Sequence, residues 1–146
     1  MIEGFVLTED LIEFLPGAFS WQDAIRASGK PLVEKGFIQS AYVDAMIDVV
    51  ATYGPYIVIA PMIAMPHARP EAGSIKVGFA VSIFETPVAF GDTEELNAKL
   101  FVTLSCTSSD THLQMMQALI DVLGDEEKVQ TLLTTKDKSV VLELFH

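Results

Sequence analysis

The chain has 146 residues, half of them hydrophobic, with 9 basic against 20 acidic side chains and a net charge of -11. That length and apolar content fit one compact domain, residues 1–146, and argue against disorder, while the acidic balance argues against a nucleic-acid surface, which needs clustered Lys and Arg. The single cysteine, Cys106, forbids an intrachain disulfide, and no basic segment followed by an apolar run and a small-residue cleavage site opens the chain, so a cytoplasmic protein is expected.

In chain order, Ser20 followed by Trp21, Ala24, Ile25 and Leu32 predicts a capped amphipathic helix running towards Gly36, with Gly29 and Pro31 leaving its middle open. Ser40 is expected to cap a second helix, in which Val43, Met46, Ile47 and Val50 recur at helical spacing until Gly54-Pro55 closes it. Val49 to Ala68 carries no charged residue and is about as long as a membrane span. Gly54 and the prolines at 55, 61 and 66 break it, so no membrane insertion is expected. Within it, Tyr56-Ile57-Val58-Ile59-Ala60 has the β-branched run of a buried strand, and Pro61, Pro66 and Pro70 forbid a helix or a central strand beyond.

Lys76 to Phe84 reads as a strand, Thr86 to Asp92 as a short extended piece ending in a turn, and Ala98 to Thr107 as an apolar strand that holds Cys106 as core packing. Ser108-Ser109-Asp110 is a run of N-cap residues before a helix from about Thr111 to Leu123, with Leu113, Met116, Leu119, Ile120 and Leu123 expected on its inner face. Asp125, Glu126 and Glu127 form a solvated helix start, a short helix carries Val129, Leu132 and Leu133, and Lys138 to Phe145 forms a last amphipathic helix before a frayed His146. The order predicts an α/β domain with at least three strands and helices packed on the sheet faces.

The most informative stretch is Ile63-Ala64-Met65-Pro66-His67-Ala68-Arg69-Pro70-Glu71, which sets one histidine between two prolines with a cation two residues on. His67 falls just past a strand end, where site residues often lie. His112 falls in the first turn of the helix after the Ala98 to Thr107 strand, where free N–H groups and the helix dipole favour an anion and a neutral imidazole. On one rim of the sheet the two would share a pocket. A neutral imidazole is a competent nucleophile towards phosphorus, and the resulting P–N bond is labile enough to pass the group on. The transition state then asks for donors around three equatorial oxygens, for which Arg69, Ser108, Ser109, Thr111, His112 and the helix amides are the candidates. No Gly-rich Walker loop supports direct use of ATP. The histidines lack the close spacing of a metal site, so neither a metal nor a cofactor is expected.

At these residues the chain resembles the IIA component of the phosphoenolpyruvate-dependent sugar phosphotransferase system, in its mannitol and fructose type. The resemblance runs from the helix near Trp21 through Tyr42-Val43-Asp44-Ala45-Met46, Ile63 to Ala68, Pro87 to Gly91 and Thr111-His112-Leu113 to Leu142-Glu143-Leu144. It implies a mixed β-sheet flanked by helices, the mannitol-type IIA fold. It implies that His67 accepts a phosphoryl group from the phosphocarrier HPr as a tele-phosphohistidine and gives it to a cysteine of a IIB component, which serves a IIC membrane permease. The residues themselves do not choose between the two ring nitrogens. His112 becomes the second active-site histidine, a phosphate stabiliser. The form Ala64-Met65-Pro66-His67-Ala68-Arg69-Pro70-Glu71 looks most like the ascorbate branch; mannitol, fructose or galactitol types are the neighbouring alternatives.

Two positions depart from the family pattern. Many mannitol-type members carry a phosphate-holding arginine where this chain has Val49, which leaves Arg69 as the candidate cation, and Met62 stands where a small residue such as glycine is common in the ascorbate-like branch. Each assignment has a plainer rival: a turn residue for His67, a solvent-facing first-turn residue for His112, an exposed loop cation or partner contact for Arg69. A relay domain must expose its nucleophile to two partners through small, transient interfaces, to which Met62, Met65, Phe79, Phe90 and Met115 are plausible apolar contributors. Two other functions compete with transport: a regulatory module that uses a phosphorylatable His67 as a switch, and a binding domain without phosphoryl chemistry.

Overall fold

The computed structural model describes residue 5 and residues 7–145; His146, expected to fray, lies outside them. Five strands, β1 (Ile12–Leu15), β2 (Val58–Ala60), β3 (Met62–Ala64), β4 (Gly78–Ala89) and β5 (Asn97–Ser105), join one sheet in the order β1-β4-β5-β3-β2. The sheet is mixed. β4 and β5 pair antiparallel at its centre, β1 runs parallel to β4, and β3 runs parallel to β5 and turns back into β2.

The central pair is apolar on both faces and therefore needs cover on both. Helices α1 (Trp21–Glu34) and α2 (Ser40–Tyr53) bury Ala80, Phe84 and Phe101 on one face, and α3 (Ser109–Leu123), α4 (Glu126–Thr134) and α5 (Lys138–Leu144) bury Phe79, Val81, Leu100 and Val102 on the other. The predicted α/β class and helical layers hold. Among the described residues, no helix is long and apolar enough to cross a membrane.

The open middle of α1 resolves into a packing contact. A Cβ at Gly29 would stand 3.0 Å from Val43 Cγ2, so the glycine lets α1 approach α2, while Pro31 sits near the helix end, which comes at Glu34. α2 begins differently from expectation. Gln39 is its N-cap residue, with its N–H bonded to Gly73 O, and Ser40 is already helical.

Tyr56 to Ala60 is not a buried strand: Tyr56 is 81% and Ile59 44% exposed, and only Val58–Ala60 pairs, at the sheet edge. The interior strand comes after Pro61 instead, because three residues, Met62–Ala64, fit between Pro61 and Pro66 with no proline inside the ladder. Met62 enters it with φ 68°, the left-handed region that glycine adopts without steric cost.

Thr86 to Asp92 is not a separate piece as far as Ala89, since β4 continues that far. A register shift between Ile83 and Val88 leaves residues 85–87 exposed, which admits Pro87 into a strand. β1 was not expected; four residues with Glu13 among them show no readable alternation. On α3, Leu113 and Ile120 are 58% and 54% exposed, and the inner stripe is Met115, Leu119, Val122 and Leu123. Apolar residues occur on more than one side of that helix, so spacing alone did not select the buried one.

Candidate functional site

The His67 loop hangs from the end of β3 and is fixed by backbone bonds on the rim where β5 also ends. Met65 N–H donates to Ile57 O at 2.8 Å, and Leu104 N–H of β5 donates to Pro66 O at 3.0 Å. Proline suits that place, because the loop needs the carbonyl of residue 66 and has no use for its N–H. His67 follows, half-buried, with Nδ1 2.7 Å from Met65 O. A carbonyl oxygen only accepts, so Nδ1 carries the proton and, in the neutral ring, Nε2 keeps the free lone pair.

His112 reaches the same place from α3. Ser108 caps this helix by accepting Thr111 N–H, and Thr111 Oγ1 accepts Ser108 N–H in return. His112 N–H goes to Ser108 O at 3.1 Å. The N–H groups of Ser109 and Asp110 thus open the helix without intrahelical partners, an arrangement that favours an anion.

The two imidazoles meet, with ring centroids 5.4 Å apart and planes inclined by 44°. Burial first, and then the His67 ring, lower the His112 pKa, which leaves His112 neutral at pH 7 with one N–H to donate.

Both rings line a cavity of about 360 Å³, walled further by Val49 and Tyr53 of α2, by Arg69 beside His67, and by Ser108 and Ser109. Arg69 is exposed and, among the described residues, forms no ion pair. Of the candidate donor side chains, Thr111 lies outside this wall, and its hydroxyl is engaged in the helix cap.

Cys106 is buried packing as expected, with Sγ 3.9 Å from Met115 Sδ and burial raising its thiol pKa to about 11, yet it also lines the cavity. Tyr53, 68% exposed, is a wall residue that sequence reasoning missed. It lies four residues after Val49, on the same side of α2, so the position of one implies the other.

The expected apolar contact surface needs correction. Phe79, Met65, Phe90 and Met115 are all buried in the core, and Met62 is half-buried. The exposed apolar groups beside the histidines are Tyr53, in the cavity wall, and Leu113, next to His112.

Two neighbouring histidines on the wall of a small cavity at a helix N-terminus is the arrangement that the sequence resemblance implies, and the family model for the phosphoenolpyruvate-dependent sugar phosphotransferase system, EIIA 2, matches residues 5–146. The chain belongs to this family. It is 36% identical over 136 residues to the mannitol-specific cryptic phosphotransferase enzyme IIA component of Escherichia coli, covering 93% of this chain and 92% of that one. It is 32% identical over 128 residues to the ascorbate-specific PTS system EIIA component of Shigella boydii, covering 87% of this chain and 83% of that one. The enzyme IIA of the Escherichia coli mannitol system, solved in complex with phosphorylated enzyme IIB, shares the fold with a TM-score of 0.86 at 29% identity, over 97% of each chain. The mixed sheet with helices on both faces is therefore the mannitol-type IIA architecture.

Proposed function

We propose that this EIIA protein relays a phosphoryl group in the cytoplasm, from the phosphohistidine of HPr to Nε2 of His67 and on to a cysteine of a IIB component that serves a IIC permease. The observation that carries the reading is the pairing of His67 and His112 on the wall of one cavity, with His67 Nδ1 held by Met65 O. In the first step Nε2 attacks phosphorus as the donor's P–N bond breaks. The proton stays on Nδ1, donated to Met65 O, so the phosphorylated ring is a cation and a good leaving group. In the second step a IIB thiolate attacks, the S–P bond forms and His67 leaves as neutral imidazole.

His112, Arg69 and the amides of Ser109 and Asp110 supply donors for the three equatorial oxygens. Val49 offers none. The similarity to an enzyme IIA solved with its phosphorylated IIB partner supports IIB as the acceptor class.

For the substrate, the proposal is L-ascorbate or a related sugar acid, supported by the 32% identical ascorbate-specific relative and the sequence around His67. A mannitol-type assignment is the second reading, favoured by the 36% identical mannitol-specific relative. The test is intact mass after incubation with phosphoenolpyruvate, enzyme I and HPr. One acid-labile phosphate that disappears in His67→Gln is expected. An unlabelled wild type beside a labelled control acceptor leaves a binding domain as the reading. Transfer to ascorbate-type against mannitol-type IIB proteins then separates the two substrates.

A further inference from the structure

Tyr42, at the third position of α2, has its side chain buried to within 1% and its hydroxyl under the His67 loop, 26 residues further along the chain. Three backbone atoms lie within hydrogen-bonding distance of that oxygen, and the Ser74 hydroxyl is a further polar neighbour. It accepts Ala68 N–H at 3.0 Å and donates its one proton to Leu104 O at 2.8 Å, the shorter of two carbonyl contacts, the other being Ala68 O at 3.2 Å. Leu104 N–H donates in turn to Pro66 O. Both neighbours of His67 are thus tied to one residue of β5: Pro66 directly, and Ala68 through the tyrosine.

The consequence for His67 is geometric. Its ring points where the loop backbone points it, because Nδ1 is bonded to Met65 O only two residues back. With Pro66 and Ala68 both fixed, that bond selects one ring direction, towards His112. Without the Tyr42 hydroxyl, Ala68 N–H and Leu104 O each lose a partner, and the C-terminal flank of the loop is free to shift. Burial favours the neutral phenol, which keeps its O–H to donate.

We propose that Tyr42 is a positioning residue for phosphoryl transfer: its hydroxyl pins Ala68 to β5 and so fixes the His67 ring in the direction and tautomer that the transfer needs. This rests on His67 as the acceptor.

The test compares Tyr42→Phe with Ser105→Ala. The Ser105 hydroxyl is also buried in this region, donates to Lys76 O at 2.7 Å and lies 3.3 Å from Ser74 Oγ, but it makes no contact with the His67 loop, so its loss disturbs the polar surroundings of Tyr42 while leaving the tie from Tyr42 to Ala68 in place. In Tyr42→Phe, kcat for uptake from phospho-HPr is expected to fall about tenfold or more, with KM nearly unchanged, because small displacements of a reacting group cost that much. Long-range 15N spectra are expected to show the single Nδ1–H tautomer of His67 give way to a mixture. Ser105→Ala is expected to melt lower while keeping wild-type kcat and tautomer.

The proposal is overturned if Tyr42→Phe keeps both kcat and tautomer, or if Ser105→Ala loses them equally. Hydrogen exchange on the wild type gives an independent arm should Tyr42→Phe fail to fold: protection of the Ala68 amide comparable to that of Leu104 supports the proposal, and exchange at open-loop rates overturns it. A wild type that takes up no phosphate defeats the acceptor reading instead, and the tautomer and exchange comparisons still decide whether Tyr42 fixes the ring.

Discussion

The rings of His67 and His112 stand 5.4 Å apart, although one belongs to the loop after β3 and the other to the first turn of α3. Two imidazoles so placed cannot both ionise easily, and the structure puts the cost on His112, whose pKa is lowered by burial and then by His67. An NMR titration is expected to find its midpoint below the usual histidine value of about 6.5. His67→Gln removes the charge contribution and leaves the burial, so the midpoint should rise but stay below that value. A midpoint above it in the wild type contradicts the geometry.

The same shift fixes the sign of a stability effect. His112 is neutral in the folded protein at a pH where the unfolded chain already binds a proton, so its contribution is fully present above the unfolded pKa and is lost as pH falls through the folded one. The melting temperature should therefore drop more between pH 7.5 and pH 5.5 in the wild type than in His112→Gln. On phosphorylation of His67 the nearby dianion reverses the local field. The His112 midpoint should then move upward, and its removal should slow uptake by roughly 10- to 100-fold without abolishing it, the order expected for one donor in a half-open site.

Arg69 and Val49 face the same cavity, and substitutions there test which groups hold the phosphate. With valine at position 49, the proposed phosphate site has Arg69 as the cation in its wall. Arg69→Gln is expected to slow uptake from phospho-HPr by about tenfold, consistent with loss of one charged donor at an exposed position. Adding Val49→Arg to that variant should restore part of the rate by supplying a cation from the α2 side of the cavity. If Arg69→Gln transfers at the wild-type rate, Arg69 is a loop cation and the donors are His112 and the helix amides.

Much of this site was legible before the fold, and the reasons differ residue by residue. His67 stood out because prolines on both sides leave a histidine no regular structure to join, and Ser108 to Asp110 announced a helix start because capping chemistry is local. What sequence could not supply was direction. Met65 and Phe79 read as contact residues but point into the core, because exposure depends on which face of a strand or loop is covered. Likewise the strand that delivers His67 is three residues long and begins after a proline, too short to show a period. The tie between Tyr42 and Ala68 spans 26 residues and exists only once α2 lies across the end of β5.

Met62 holds a conformation that its side chain disfavours, with φ 68° at the start of β3. A non-glycine residue there costs roughly 1–2 kcal/mol, against about 0.5–1 kcal/mol of extra chain entropy that glycine loses on folding. Met62→Gly should therefore be at least as stable as the wild type, measured as an unchanged or higher urea midpoint at constant m value. Ile63→Gly, one residue on and buried with ordinary strand geometry, should lose at least about 3 kcal/mol. Equal losses in the two would show that Met62 packing outweighs its backbone strain.

The last prediction concerns hydroxyls on the sheet face under α1 and α2. Among the described residues Ser82 Oγ and Thr103 Oγ1 are buried with no hydrogen-bond partner, whereas Ser105 Oγ, two residues beyond Thr103 on the same face, reaches Lys76 O at 2.7 Å. A buried hydroxyl without a partner keeps its desolvation cost, and a methyl group of the same shape removes it. Thr103→Val preserves both volume and β-branching, so it should raise stability by about 1 kcal/mol. Ser105→Ala breaks a good hydrogen bond and strands a carbonyl, and should lower stability by about 1–3 kcal/mol. Denaturant midpoints for the two variants separate these signs, and a loss in Thr103→Val would mean that its hydroxyl finds a partner in solution.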